Sequence, residues 1–192
     1  MVRKKRTHRD RRAHHGDPAA QIEVKGEDDL LEIVRSLSSP ALILVLDSIQ
    51  DPHNLGACLR VADAAGVDAV VSPRDRAVSI TPTVRQVASG AAEHIPFVRV
   101  TNLVRTIGQL KEAGTWIVGT SDSASQSIYE MDLKGPTALV MGSEGKGLRR
   151  LVEEKCDFLA RIPMRGSVEC LNVSVAAGVC LFEAVRQRLK QS

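Results

Sequence analysis

Six short apolar runs rich in β-branched residues, each parted from the next by helical periodicity, set the architecture of this chain. They are ALILVLD (41–47), VDAVVS (67–72), HIPFVRV (94–100), TWIVGT (115–120), TALVM (137–141) and ARIPM (160–164). Helical patterns fall between them at 55–65, 81–92, 101–113 and 147–156, with a long last helix over 171–190 and a short amphipathic one in GEDDLLEIVRSL, residues 26–37. A strand that is apolar throughout has to be covered on both faces, and strands alternating with helices pair in parallel. The pattern predicts an α/β fold with one parallel sheet between two helical layers. In such sheets ligands sit beyond the C-terminal strand ends, so the loops after Leu46, Val118, Met141 and Met164 carry the candidate site.

Three stretches at those loops stand out. In DPHNLGACLRVADAAG (51–66), Pro52 bars an earlier helix start, Asn54 can cap the first turn and Gly66 can close the helix in the left-handed conformation. Leu55, Cys58, Leu59, Ala62 and Ala65 share one face, and Arg60 points away from it, either as a solvated charge or as a group held out for a ligand. In GSEGKGLRRL (142–151), three glycines follow a strand and let backbone come close to a ligand. Lys146 comes too soon after Gly142 for a phosphate-cradling P-loop and is followed by Gly147, so neither that motif nor G-x-G-x-x-G is met. Glu144 inside this turn is either a second site residue or an exposed turn acid. In RIPMRGSVECLNVSVAAGVCLFEAVRQR (161–188), a polar loop precedes a helix of small residues that can lie close to another backbone, and Asn172 is either its cap or part of a pocket.

Other chemistries find little support. There is no G-x-S-x-G, and His53 and His94 have no evident serine or cysteine partner. Cys58, Cys156, Cys170 and Cys180 show neither C-x-x-C pairing nor metal spacing, which fits buried or incidental thiols in a reducing cytoplasm and no metal. No apolar run is long enough to span a bilayer, and aromatics, at 3%, are too few for base-stacking platforms. Charge is unevenly placed: residues 1–15 carry seven Lys/Arg against Asp10 alone, a net +6, and the remainder of the chain is at −3. With the linker GDPAAQIEVKG (16–26), this makes residues 1–26 a basic, disordered tail suited to polyanions, and residues 27–192 the folded domain.

The three stretches, in this order and at these intervals, resemble the signature motifs of the SpoU (TrmH-type) branch of the SPOUT RNA methyltransferases, most closely its members that act on guanosine in 23S rRNA. VRVTNLVRTIGQLKEAGTWIVGT (98–120) resembles the segment between the first and second motifs. The resemblance implies a deep C-terminal trefoil knot, S-adenosylmethionine (SAM) held within it, and a homodimer with composite sites. It implies cofactor contacts at Gly142, Ile162, Leu171, Thr120, Gly119 and Met164, and a catalytic centre of Asn54, Arg60, Glu144 and Asn172 in which Asn54 and Glu144 orient Arg60. The implied reaction is methyl transfer to a ribose 2′-OH, in rRNA ahead of tRNA. Such enzymes usually carry an N-terminal L30e-like domain, where this sequence has the basic tail. The alternatives are a catalytically silent RNA-binding or ribosome-assembly factor and, from the βα pattern alone, a nucleotide-binding oxidoreductase. The latter lacks the glycine fingerprint and the ribose-binding acid.

Overall fold

A computed structural model describes residues 22–189. In chain order the elements are β1 (Val24–Lys25), α1 (Glu27–Ser36), β2 (Leu42–Leu46), α2 (Pro52–Ala65), β3 (Ala69–Pro73), α3 (Pro82–Ala88), β4 (Phe97–Val100), α4 (Leu103–Glu112), β5 (Trp116–Thr120), β6 (Gln126–Ser127), β7 (Thr137–Met141), α5 (Arg150–Glu153), β8 (Phe158–Arg161) and α6 (Val173–Leu189). The eight strands form one sheet in the order β1-β4-β3-β2-β7-β5-β8-β6. Every pairing is parallel. At its centre β2 and β7 run in register from Leu42 opposite Thr137 to Leu46 opposite Met141.

Alternation along the buried strands builds two cores. Leu42, Leu44 and Leu46 face the layer of α2, α3 and α6, where Leu55, Leu59, Val84, Ala177 and Leu181 cover them. Ile43 and Val45 face the other way, toward Leu30 of α1, Leu103, Ile107 and Leu110 of α4, and Val152 of α5. This is the two-sided burial that the apolar runs demand. The tip of α6 is fastened by polar contacts: Gln187 accepts from the Leu133 N–H at 2.9 Å and donates to the Met131 carbonyl at 2.9 Å, and Arg188 donates to the carbonyls of Pro40, Ala41, Leu133 and Gly135.

Several boundaries differ from the sequence reading, each for a local reason. The end of the expected linker is structured, since Val24 and Lys25 extend the sheet beside β4. The expected helix 81–92 stops at Ala88, because Ser89 and Gly90 take left-handed φ values of 52° and 93° and a 3₁₀ turn follows at Ala91–Glu93. The expected helix 147–156 shrinks to Arg150–Glu153, because Gly145 and Gly147 are left-handed (φ 74° and 64°) and the Arg149 N–H is committed to Asp47. β8 ends at Arg161, so Ile162 and Met164 lie in the following loop rather than on the strand. The basic segment 1–15 lies outside the described residues. Among the described residues no helix is long and apolar enough to cross a membrane.

Candidate active site

Parallel pairing puts every strand's C-terminal end on one edge of the sheet, and two helices begin there. Asp51 caps α2, accepting from the His53 N–H at 2.8 Å, with Pro52 opening the helix. Asn54 is therefore not the cap, and its side chain is free for another use. Asn172 does cap α6: its Oδ1 accepts from the Ser174 N–H at 2.9 Å and from the Ser174 hydroxyl at 2.6 Å. Its amide nitrogen remains, and it donates to Asn54 Oδ1 at 2.8 Å and to Glu144 Oε1 at 2.7 Å. Asn54 Nδ2 donates to the same Glu144 oxygen at 3.3 Å. Three segments far apart in sequence thus meet in one hydrogen-bonded triangle, with the Glu144 carboxylate beside two helix N-termini that favour negative charge.

The turn that presents Glu144 is held at both ends. Ser143 and Gly147 exchange backbone hydrogen bonds at 3.1 and 2.9 Å, which closes residues 143–147 into a tight loop. Beyond it, the fully buried Asp47 accepts from the Arg149 N–H at 2.9 Å and pairs with the Arg149 guanidinium at 2.6 Å. An unpaired carboxylate at this depth is strongly disfavoured, so the pair fixes where the loop leaves β7. The sequence reading did not single out this anchor. Its signal was an acid closing an otherwise wholly apolar strand run.

Next to the triangle lies a cleft of about 410 Å³, within the range of small-molecule sites. Thr120, Gly142, Ile162, Met164 and Leu171 line it, as do Ser121, Asp122, Lys146, Glu169 and Cys170, which sequence reasoning had not picked out. Gly119 is not on its wall. A Cβ there would lie 2.7 Å from Cys156 Sγ and 2.9 Å from Leu148 and Leu159, so this glycine makes room for the residues flanking α5 and for Leu159 of β8. Arg60 is the other exception. It is exposed on the outer side of α2, and its Nη1 donates to Ser89 Oγ at 3.5 Å rather than meeting Asn54 or Glu144. Six residues along a helix amount to about 9 Å of rise and about 240° of rotation, so Asn54 and Arg60 cannot aim at one point. The expected orientation of Arg60 by Asn54 and Glu144 is not made within one chain.

Beneath the site, burial with a contribution from the Glu144 charge pushes the Cys58 thiol up to about 12, and burial alone does the same for Cys180, so neither is a nucleophile near neutral pH. Cys170 is exposed on the cleft wall, so of the two readings offered for the thiols, burial does not hold for it. Among the described residues no cluster of His, Cys, Asp and Glu is placed to hold a metal ion.

Residues 41–182 match the SpoU rRNA Methylase family. The chain is 62% identical over 160 residues to the 23S rRNA (guanosine-2′-O-)-methyltransferase RlmB of Ralstonia nicotianae, covering 83% of this chain and 64% of that protein. To the protein of the same name from Coxiella burnetii it is 59% identical over 177 residues, covering 91% of this chain and 71% of that protein. It therefore spans about two-thirds of the length of these curated relatives. Among solved structures it is similar to the SpoU methyltransferase AviRb from Streptomyces viridochromogenes in complex with the cofactor AdoMet, with TM-score 0.77, 30% identity, and coverage of 85% of this chain and 66% of that one. It is also similar to the TrmH/SpoU tRNA modifying enzyme of A. aeolicus, with TM-score 0.71, 31% identity, and coverage of 86% and 85%. On a match across most of its length, the chain belongs to the SpoU rRNA methylase family.

Proposed function

We propose that this chain transfers a methyl group from SAM to the ribose 2′-OH of a guanosine in 23S rRNA, working as a homodimer whose two subunits share each site. The observation that carries the reading is the Asn54–Glu144–Asn172 triangle, because it joins all three sequence motifs at the mouth of one cleft. The cleft suits the cofactor in its chemistry. Met141, Ile162, Met164 and Leu171 offer apolar surface to an adenosyl group, and Asp122, Glu144 and Glu169 offer carboxylates to a ligand bearing sulfonium and ammonium charges. When bound, SAM supplies an activated methyl whose leaving group is a neutral thioether, so no general acid is required. The catalytic work left to the protein is to hold the 2′-OH and make its proton easier to lose.

Arg60 has the chemistry for that task. A guanidinium essentially never gives up its proton, so it acts as a fixed cation that grips the ribose-phosphate and stabilises the developing alkoxide, and the proton leaves to a phosphate oxygen or water. Glu144 is held by Asn54 and Asn172 on the cofactor side. The exposed position of Arg60, turned away from its own chain's triangle, supports its service to the cleft of the other subunit. The outer face of α6 supports the dimer: Val175 is 52% exposed, Phe182 49% and Leu189 70%, whereas Ala177, Leu181 and Ala184 on the inner face are buried. An isologous contact would cover that outer face. The position of β8, inserted between the earlier strands β5 and β6, supports the trefoil knot.

Two measurements test this reading. SAM should protect Cys170 from iodoacetamide, since that thiol lies on the cleft wall, and NAD should not. Equal labelling with and without SAM would move the cofactor elsewhere. Mixing Arg60→Ala with Glu144→Ala chains tests the shared site. Each variant alone should be nearly inactive; after random exchange of equal amounts, half of the dimers are heterodimers and one of the two sites in each heterodimer is whole, so about a quarter of the wild-type methylation rate should return. No recovery despite demonstrated subunit exchange would mean that each chain carries a complete site.

A further inference from the structure

Helix α3 ends on a residue in an unfavourable conformation. Ser89 lies at φ 52°, ψ 45°, in the left-handed region that a β-carbon disfavours, and its N–H bonds back to the Gln86 carbonyl. A glycine would close the helix there without strain, as at Gly66, which ends α2. The serine adds only its hydroxyl, and that hydroxyl accepts from Arg60 Nη1.

The approach of α3 to this point is itself built in. A Cβ on Gly56 would fall 2.7 Å from Val87 Cβ and 2.8 Å from the Val84 carbonyl oxygen, so the missing side chain lets α3 lie directly against α2. Gly56 and Arg60 are four residues apart and share a face of α2. The close contact at Gly56 therefore delivers the end of α3 beside Arg60. The acceptor it delivers is neutral. Among the described residues no carboxylate forms a salt bridge with Arg60. A hydroxyl fixes the direction of a guanidinium and leaves its full charge for phosphate and alkoxide, whereas a carboxylate would neutralise it.

We propose that Ser89 is a positioning residue for Arg60, kept in a strained conformation because its hydroxyl aims the guanidinium without cancelling its charge. This rests on the assignment of Arg60 to the ribose 2′-OH. Ser89→Gly should raise the melting temperature, by relieving the left-handed β-carbon, and at the same time lower kcat about tenfold, the scale of one hydrogen bond to a charged group, with KM for SAM unchanged. Ser89→Asn, also tolerant of the left-handed region and able to present a carbonyl oxygen, should recover most of the rate. A merely structural role would move stability and activity in the same direction. Wild-type kcat in Ser89→Gly, or an Asn variant no faster than the Gly variant, would overturn the proposal. Arg60→Ala, measured alongside, separates the two levels: if it is inactive and Ser89→Gly is not, only the role of Ser89 fails, and if it is itself active, the assignment of Arg60 fails and takes the proposal with it.

Discussion

Arg60→Ala should lose methyl transfer by at least about a hundredfold and still bind SAM with wild-type affinity, because removing one preorganised donor to a developing oxyanion costs on that scale. The split follows from geometry. Arg60 projects from the outer side of α2 and is not on the cleft wall, so its removal leaves the cofactor's surroundings untouched. The fold should also be unaffected, since the side chain is exposed and its hydrogen bond among the described residues goes to an exposed serine. Single-turnover rates with calorimetric SAM binding would measure both halves. A rate within about tenfold of wild type, or about 1.4 kcal/mol of barrier, would remove Arg60 from the mechanism.

Gly142→Ala should abolish SAM binding and destabilise the domain by about 3 kcal/mol, at the upper end of overpacking effects. A Cβ at this position would sit 2.1 Å from the Gly147 carbonyl carbon and 2.4 Å from both the Gly147 oxygen and the Leu148 nitrogen. All three are backbone atoms, so no side-chain rotation relieves the clash. The loop would have to open, breaking the Ser143–Gly147 bridge and displacing Glu144 from Asn54 and Asn172. The sequence alone suggested that this glycine admits a ligand; the structure shows that it first admits its own chain. Thermal denaturation and equilibrium SAM binding would check the outcome, and wild-type affinity would show that the loop does not shape the cleft.

The sheet was legible because its strands are buried on both faces, which forces unbroken apolar runs such as that of Leu42–Leu46. What escaped were features carried by one or two residues. Val24–Lys25 and Gln126–Ser127 are too short to show a period. The end of α3 depends on a serine adopting a glycine-like conformation, which its residue type does not announce. Arg60 was correctly placed on the outer face of α2 by its spacing from Leu55 and Leu59, yet its partner could not be read, because that partner depends on how closely α3 packs over Gly56. Asn172 posed a choice between cap and pocket, and it does both, the oxygen capping α6 and the nitrogen tying Asn54 to Glu144.

The most direct test of the central claim is the fate of a labelled methyl group after alkaline hydrolysis of the RNA product. A methylated 2′-oxygen cannot attack the neighbouring phosphodiester, so 2′-O-methylation leaves an alkali-stable dinucleotide. With radiolabelled SAM and unmodified 23S rRNA, the label should appear in one such dinucleotide whose 5′ nucleoside is guanosine, and it should be absent with the Arg60→Ala variant. Label released in mononucleotides would place the methyl on a base and contradict the proposed reaction, and label acquired by tRNA but not by 23S rRNA would contradict the proposed substrate.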